Sequence, residues 1–151
     1  HRKGYSENWI NQRLKSIEVR KELTDEWERR GIKRGQEFAT LTDIITQGWS
    51  GMTTRQYKRY KGLRTESLRD NMTNLELVLN MLAEATTTEI SKERRPRTFA
   101  ANRIVAAQGG RIAGNTRREI EAQTGKKIVS RLNAEQALAA KEIEPNEEEK
   151  E

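Results

Sequence analysis

The stretch GMTTRQYKRYKGLRTESLRDNMTNLELVLNMLAEATTTEI, residues 51–90, decides the reading of the fold. Within it, Thr73-Asn74-Leu75-Glu76 is a capping box. The Thr hydroxyl and the Glu carboxylate satisfy each other's orphan amides and so open a helix. The spacing predicts that helix over 75–85, with Leu75, Val78, Leu79 and Leu82 as its buried face. Thr86-Thr87-Thr88-Glu89 repeats the box and predicts a further short helix over 89–93. Upstream, Thr53 or Thr54 caps a helix over 54–61 that Gly62 ends.

Working outward, residues 36–47 read as a helix with Phe38, Leu41, Ile44 and Ile45 on one face, and Gly48-Trp49-Ser50-Gly51 reads as a turn. With the helix over 54–61 this outlines a helix-turn-helix-like pair. Residues 7–30 are helical, capped by Ser6 and stopped by Gly31, with Ile10, Leu14 and Ile17 as the first apolar stripe. Val19, Leu23 and Trp27 continue at a drifting angle, and Thr24-Asp25 reads as a new cap that splits the helix in two.

On the other side, Arg94, Arg95, Pro96 and Arg97 read as a basic linker over 94–98. Thr98 caps the next helix, which carries Phe99, Ile104 and Val105, then Gly109-Gly110, then Ile112, Ala113 and Ile120. The glycine pair either breaks that helix or permits a close crossing, and the propensity cost of two glycines favours the break. Thr124-Gly125 ends it, and Lys127 to Ser130 read as a short strand. The expected class is mainly α. It comprises a helical core region over 1–93, the linker, a helical segment over 99–133, and a disordered acidic tail over 134–151.

Leu, Ile, Val and Phe total 28 of 151 residues. That is under about 20%, the level at which a charged chain begins to look disordered. The core is therefore small. Residues 1–140 carry 27 Lys/Arg against 17 Asp/Glu, while 141–151 carry two lysines and six glutamates. A basic body favours polyanionic partners, nucleic acid first. With no cysteine and His1 as the sole histidine, thiolate chemistry, Cys-based metal sites and histidine general-base catalysis lose their side chains. The cysteine count fits the cytoplasm. No apolar run approaches the roughly 20 residues that a membrane helix needs, and no signal peptide is visible. The chain starts without methionine and enters a helix almost at once, so it reads as the C-terminal piece of something longer.

Between residues 51 and 69 stand Arg55, Lys58, Arg59, Lys61, Arg64 and Arg69, against Glu66 alone. Arg55, Lys58 and Arg59 share a helix face at i, i+3 and i+4. Such cations neutralise phosphates and release counterions, giving affinity without sequence preference. Tyr57 and Tyr60 would stack on bases or donate to phosphate. The competing reading is a solvated face with both tyrosines in the core.

A second basic patch is Arg94, Arg95 and Arg97 with Arg103 nearby. Trp9, Trp27 and Trp49 read as core anchors or as contacts for a partner. The segment AQGGRIAGNTRREIEAQTGKK lacks phosphate-loop spacing. Asp70 reads as an ion-pair or helix-entry residue, and Asp25, Glu26 and Glu28 as a complement to a helix N-terminus. No catalytic residue, metal ligand or cofactor site emerges.

Five stretches carry a family resemblance: GYSENWI, ELTDEW, YKRYKGL, LRDNMTNLEL and the later QGG…TGKK. Over about residues 3–133 the chain resembles the C-terminal half of phage antirepressor-like proteins with an N-terminal BRO domain, relatives of the DNA-damage-inducible protein D family. In that family DNA binding is attributed chiefly to the BRO domain, which would precede His1. The resemblance implies that this half packs on that domain, forms oligomers, or adds nucleic-acid or protein contacts, and it carries no catalytic residues. The expectation is a non-enzymatic DNA-binding regulatory protein. The alternative is a module that binds a repressor or a DNA-repair or recombination protein.

Overall fold

The computed structural model describes residues 5–133 and Gln136, and every regular element among them is helical. Helix α1 spans Glu7–Arg29, α2 Gln36–Ser50, α3 Thr54–Tyr60, α4 Asn74–Arg94 and α5 Phe99–Thr124, with one 3-10 turn at Arg69–Asn71 before α4. Helix α4 packs against α1, α2 and α5; α5 lies along α2 as well, and the short α3 sits beside α2. The mainly α expectation holds. The acidic tail expected over 134–151 lies outside the described residues apart from Gln136.

Helix starts follow the local chemistry read from the sequence. Ser6 Oγ accepts from Trp9 N at 3.0 Å, and Thr98 Oγ1 from Ala101 N at 3.0 Å. Thr53 with Gln56, and Thr73 with Glu76, form reciprocal capping boxes at α3 and α4. Gly51 ends α2 in the left-handed conformation, with φ 84°.

Four expected breaks are absent. Helix α1 runs unbroken past Thr24-Asp25, α2 continues through Gly48 to Ser50, and α4 continues past its second capping box to Arg94. Helix α5 passes through Gly109-Gly110 without interruption. Tertiary packing outweighs propensity here. A Cβ on Gly48 would lie 2.9 Å from Gly110 Cα, and one on Gly110 would lie 2.8 Å from Ile45 O. The glycines therefore permit a backbone-to-backbone crossing of α2 and α5, the second alternative for the pair. The stretch expected as a linker is a tight α4–α5 turn, with Arg95 left-handed (φ 50°) and Pro96 buried. No strand forms over 127–130. Ser130 N instead donates to the Glu76 carboxylate, so this segment is tied side-on to α4 rather than to another strand.

The core is assembled from faces that apolar spacing misplaces. On α1 the buried residues are Trp9, Ser16, Leu23, Glu26 and Trp27, whereas Leu14 and Ile17 are 58% and 52% exposed. On α4 the buried set includes Glu76, Asn80, Glu84, Thr87, Thr88 and Ser91, while Leu75 is exposed. Burying a polar side chain is costly unless hydrogen bonds or counter-charges satisfy it. Ser91 Oγ donates to Glu26 at 2.7 Å, and Arg30 Nε reaches the same carboxylate at 2.8 Å. Glu26 thus joins α1 to α4 and does not complement a helix N-terminus.

A basic cleft as candidate nucleic-acid interface

Helix α3 is short, and its placement rests on side chains of its neighbours. Asp43 of α2 accepts from Thr54 N at 2.8 Å, which fixes the first turn. Tyr57, on the inner face, is fully buried and meets Trp49 edge-on at 6.0 Å between ring centroids. With that face held inward, Arg55, Lys58 and Arg59 turn outward along a cleft of about 830 Å³. The loop after α3 adds Arg64, α1 adds Arg20, and α2 forms the wall that carries Thr42 and Asp43. Among the described residues, Arg55, Lys58, Arg59 and Arg64 make no ion pair. The nearby exposed Glu66 is engaged by backbone, accepting from Arg64 N at 2.8 Å and Thr65 N at 3.0 Å. The Arg64 amide, its largest influence, holds its carboxyl below the ordinary range.

Four members of the expected nucleic-acid set leave it. Tyr57 is inside the core, where its hydroxyl donates to Glu76, so it has no face for a base. Lys61 turns inward as well: its side chain is 1% exposed, and Nζ lies 2.8 Å from the Glu76 carboxylate. Burial lowers the Lys61 ammonium from its ordinary range, with Glu76 acting in the opposite direction. Arg69 donates to both Glu84 oxygens, at 3.0 and 2.7 Å. Tyr60 is half-buried in a separate hollow with Met52, Lys127 and Val129, and Arg131 lies over its ring at 5.1 Å. Three of the four share a cause. Of the buried carboxylates of α4, Glu76 claims Tyr57 of α3 and Lys61 just past its end, and Glu84 claims Arg69 of the 3-10 turn, whereas Tyr60 packs under Arg131 instead.

The tryptophans are anchors of the core. Trp27 and Trp49 are buried, and Trp9 is nearly so. Trp9 Nε1 donates to Met72 O at 2.8 Å, and Trp49 Nε1 to Asn80 Oδ1 at 3.1 Å. None presents a face to a partner. The second basic patch is exposed at the α4–α5 turn, where Arg94 donates to Gln108 at 2.7 Å; Arg94, Arg95, Arg97 and Arg103 line no part of the cleft.

Sequence reasoning missed Arg20. It joins the cleft from α1 by reaching Glu84 at 3.0 Å and Thr42 Oγ1 at 2.8 Å. No local signal marks it, because both partners come from distant helices.

Among the described residues no group of three or more His, Cys, Asp or Glu side chains is placed to hold a metal ion, and no helix is long and apolar enough to cross a membrane. The chain matches no protein-family model and no curated protein.

Proposed function

We propose that this chain is a non-enzymatic, nucleic-acid-binding regulatory module acting in the cytoplasm, of the kind found in the C-terminal part of prophage antirepressor-like BRO proteins. One observation carries the reading: Arg55, Lys58, Arg59 and Arg64, four cations that make no ion pair among the described residues, converge on one cleft. Unpaired cations along a groove suit a phosphate backbone, whose neutralisation releases counterions and needs no base contacts. The family resemblance supplies the regulatory context, in transcription or the DNA-damage response, and a BRO domain of the same longer chain as a neighbour.

The test is binding to random-sequence duplex and single-stranded DNA by fluorescence anisotropy. The variant Arg55→Glu/Lys58→Glu/Arg59→Glu is compared with Arg94→Glu/Arg95→Glu/Arg97→Glu. The cleft variant loses most of the affinity and the turn variant loses little. Equal losses, or none, would remove the cleft from the reading.

The exposed Leu14 and Ile17 on α1 support the second reading, a module that binds a repressor or recombination protein or a second copy of itself. Leu14→Glu/Ile17→Glu would abolish such a complex and leave DNA affinity intact. A complex unaffected by this change would exclude that face.

A further inference from the structure

Behind the cleft lies a second, smaller cavity of about 190 Å³, which shares Thr42, Thr54 and Lys58 with it. Its remaining walls are the polar Thr46, Ser67, Arg69 and Asn80 together with the apolar Leu68 and Met72. Asn80 is 2% exposed. Its Oδ1 is taken by Trp49 Nε1, which settles the orientation of the amide, because an indole N–H can only donate. The other amide atom, Nδ2, is buried without any hydrogen-bond partner among the described residues. A buried donor left unmade is costly, and it marks a place for an acceptor that the described residues do not provide.

The other polar groups of the lining have the same bias. Ser67 Oγ accepts from Asp70 N, at 3.3 Å, and its hydroxyl proton remains available. Thr54 commits only its backbone amide, to Asp43. Lys58 contributes an ammonium at the shared wall, and Arg69 a guanidinium that shares the single Glu84 charge with Arg20. Among the described residues no carboxylate lines this cavity; Asp43 lines the outer cleft and Glu84 stands behind Arg69. Neutral donors with cations in excess, and no acid among the lining residues, select an oxyanion of small volume.

We propose that this inner cavity takes a phosphomonoester, the terminal phosphate of a nucleic-acid strand whose backbone occupies the outer cleft. The inference rests on the nucleic-acid reading of the cleft and deepens it. An internal phosphodiester is flanked on both sides by sugar and stays in the open cleft. A terminal phosphate carries an additional charge and an unblocked side, so it alone enters a recess behind the backbone track. The module then prefers phosphorylated strand ends to unphosphorylated ones.

The experiment compares one short oligodeoxynucleotide sequence in three forms: 5′-phosphorylated, 3′-phosphorylated and unphosphorylated. Inorganic phosphate serves as competitor. The expected result is binding roughly tenfold tighter for one phosphorylated form, the scale of a charge-assisted hydrogen-bond set. Inorganic phosphate should erase that advantage without displacing the strand. A site for free phosphate alone would show inorganic phosphate binding with no advantage for either phosphorylated form, and this overturns the strand-end proposal. Asn80→Asp keeps the acceptor for Trp49 and puts a repelling oxygen in place of Nδ2, and it abolishes the advantage. Ser67→Ala, at an exposed position where folding is safe, reduces it.

Equal affinity for all three forms overturns the inference and leaves the cleft standing, with the cavity a water pocket. Failure of all three to bind overturns the cleft reading as well.

Discussion

The Tyr57 hydroxyl donates to the Glu76 carboxylate, and this contact turns one face of the basic helix α3 into core. Glu76 is fully buried, and it also takes Lys61 Nζ at 2.8 Å, Thr73 N at 2.7 Å and Ser130 N at 3.1 Å. Burial, the largest cause, and then Glu76 push the Tyr57 phenol far above its ordinary range, so it is a donor at every pH of interest. One carboxylate therefore fixes the angle of α3, the start of α4 and the segment after α5, and with them the outward direction of Arg55, Lys58 and Arg59.

Glu76→Gln leaves the Lys61 ammonium buried without a counter-charge. Breaking a buried pair from one side costs about 3 kcal/mol or more. Tyr57→Phe removes a single hydrogen bond to a charged acceptor and costs about 1.5–3 kcal/mol. Urea unfolding at neutral pH should rank Glu76→Gln as the more destabilised. The reverse order would mean that Lys61 escapes to solvent and that the inward set is held by the phenol alone.

The Glu84 carboxylate makes the fold sensitive to acid. Burial raises its carboxyl, and Arg69 and then Arg20 outweigh that, holding it below the ordinary range. A depressed folded-state value contributes stability above the unfolded value, near 4.3 for glutamate, and loses it as pH falls through the folded value. Glu84→Gln should therefore be less stable than wild type by about 3 kcal/mol at pH 7. The gap should shrink steadily below about pH 4. A gap that stays constant with pH would show that Glu84 acts by packing and not by charge.

Gly110→Ala tests the crossing of α2 and α5. Alanine is the better helix former by about 1 kcal/mol. Its Cβ would nevertheless lie 2.8 Å from Ile45 O, against backbone that cannot move aside cheaply. Overpacking of this kind costs about 1–3 kcal/mol. A lowered melting midpoint is expected, and an unchanged or raised one would mean that the helices separate at no cost.

These three sites mark the limit of what the sequence alone discloses. Caps were legible because a capping box is a local device: Thr53, Thr73 and Thr98 each act within three residues. The glycine pair was ambiguous, because its meaning depends on other helices: Gly110 meets Ile45 and Gly48 of α2, and Gly109 meets Ala83 and Thr87 of α4. The buried face of α4 was misplaced because Glu76, Asn80 and Glu84 look like solvent-facing residues until Lys61, Trp49 and Arg69 are found opposite them. The cation cluster was legible as composition, but its division into outward Arg55, Lys58, Arg59 and Arg64 and inward Lys61 and Arg69 follows from those carboxylates.

That division sets the salt dependence of binding. If the four outward cations each neutralise one phosphate, log K against log salt falls with a slope of about −3.6 on duplex DNA and about −2.8 on single strands. Lys58→Met/Arg59→Met removes two of the four contacts. It should make the slope shallower by about 1.8 on duplex and 1.4 on single strands. Lys61→Met should leave the slope unchanged while lowering stability, because its charge is already spent on Glu76. The same titration read at Arg94→Met/Arg95→Met reports on the exposed α4–α5 turn, where no change in slope is expected. A slope that responds to Lys61 as strongly as to Lys58 would show that the inward cation reaches the phosphates, and the burial-based division of the cluster would fail.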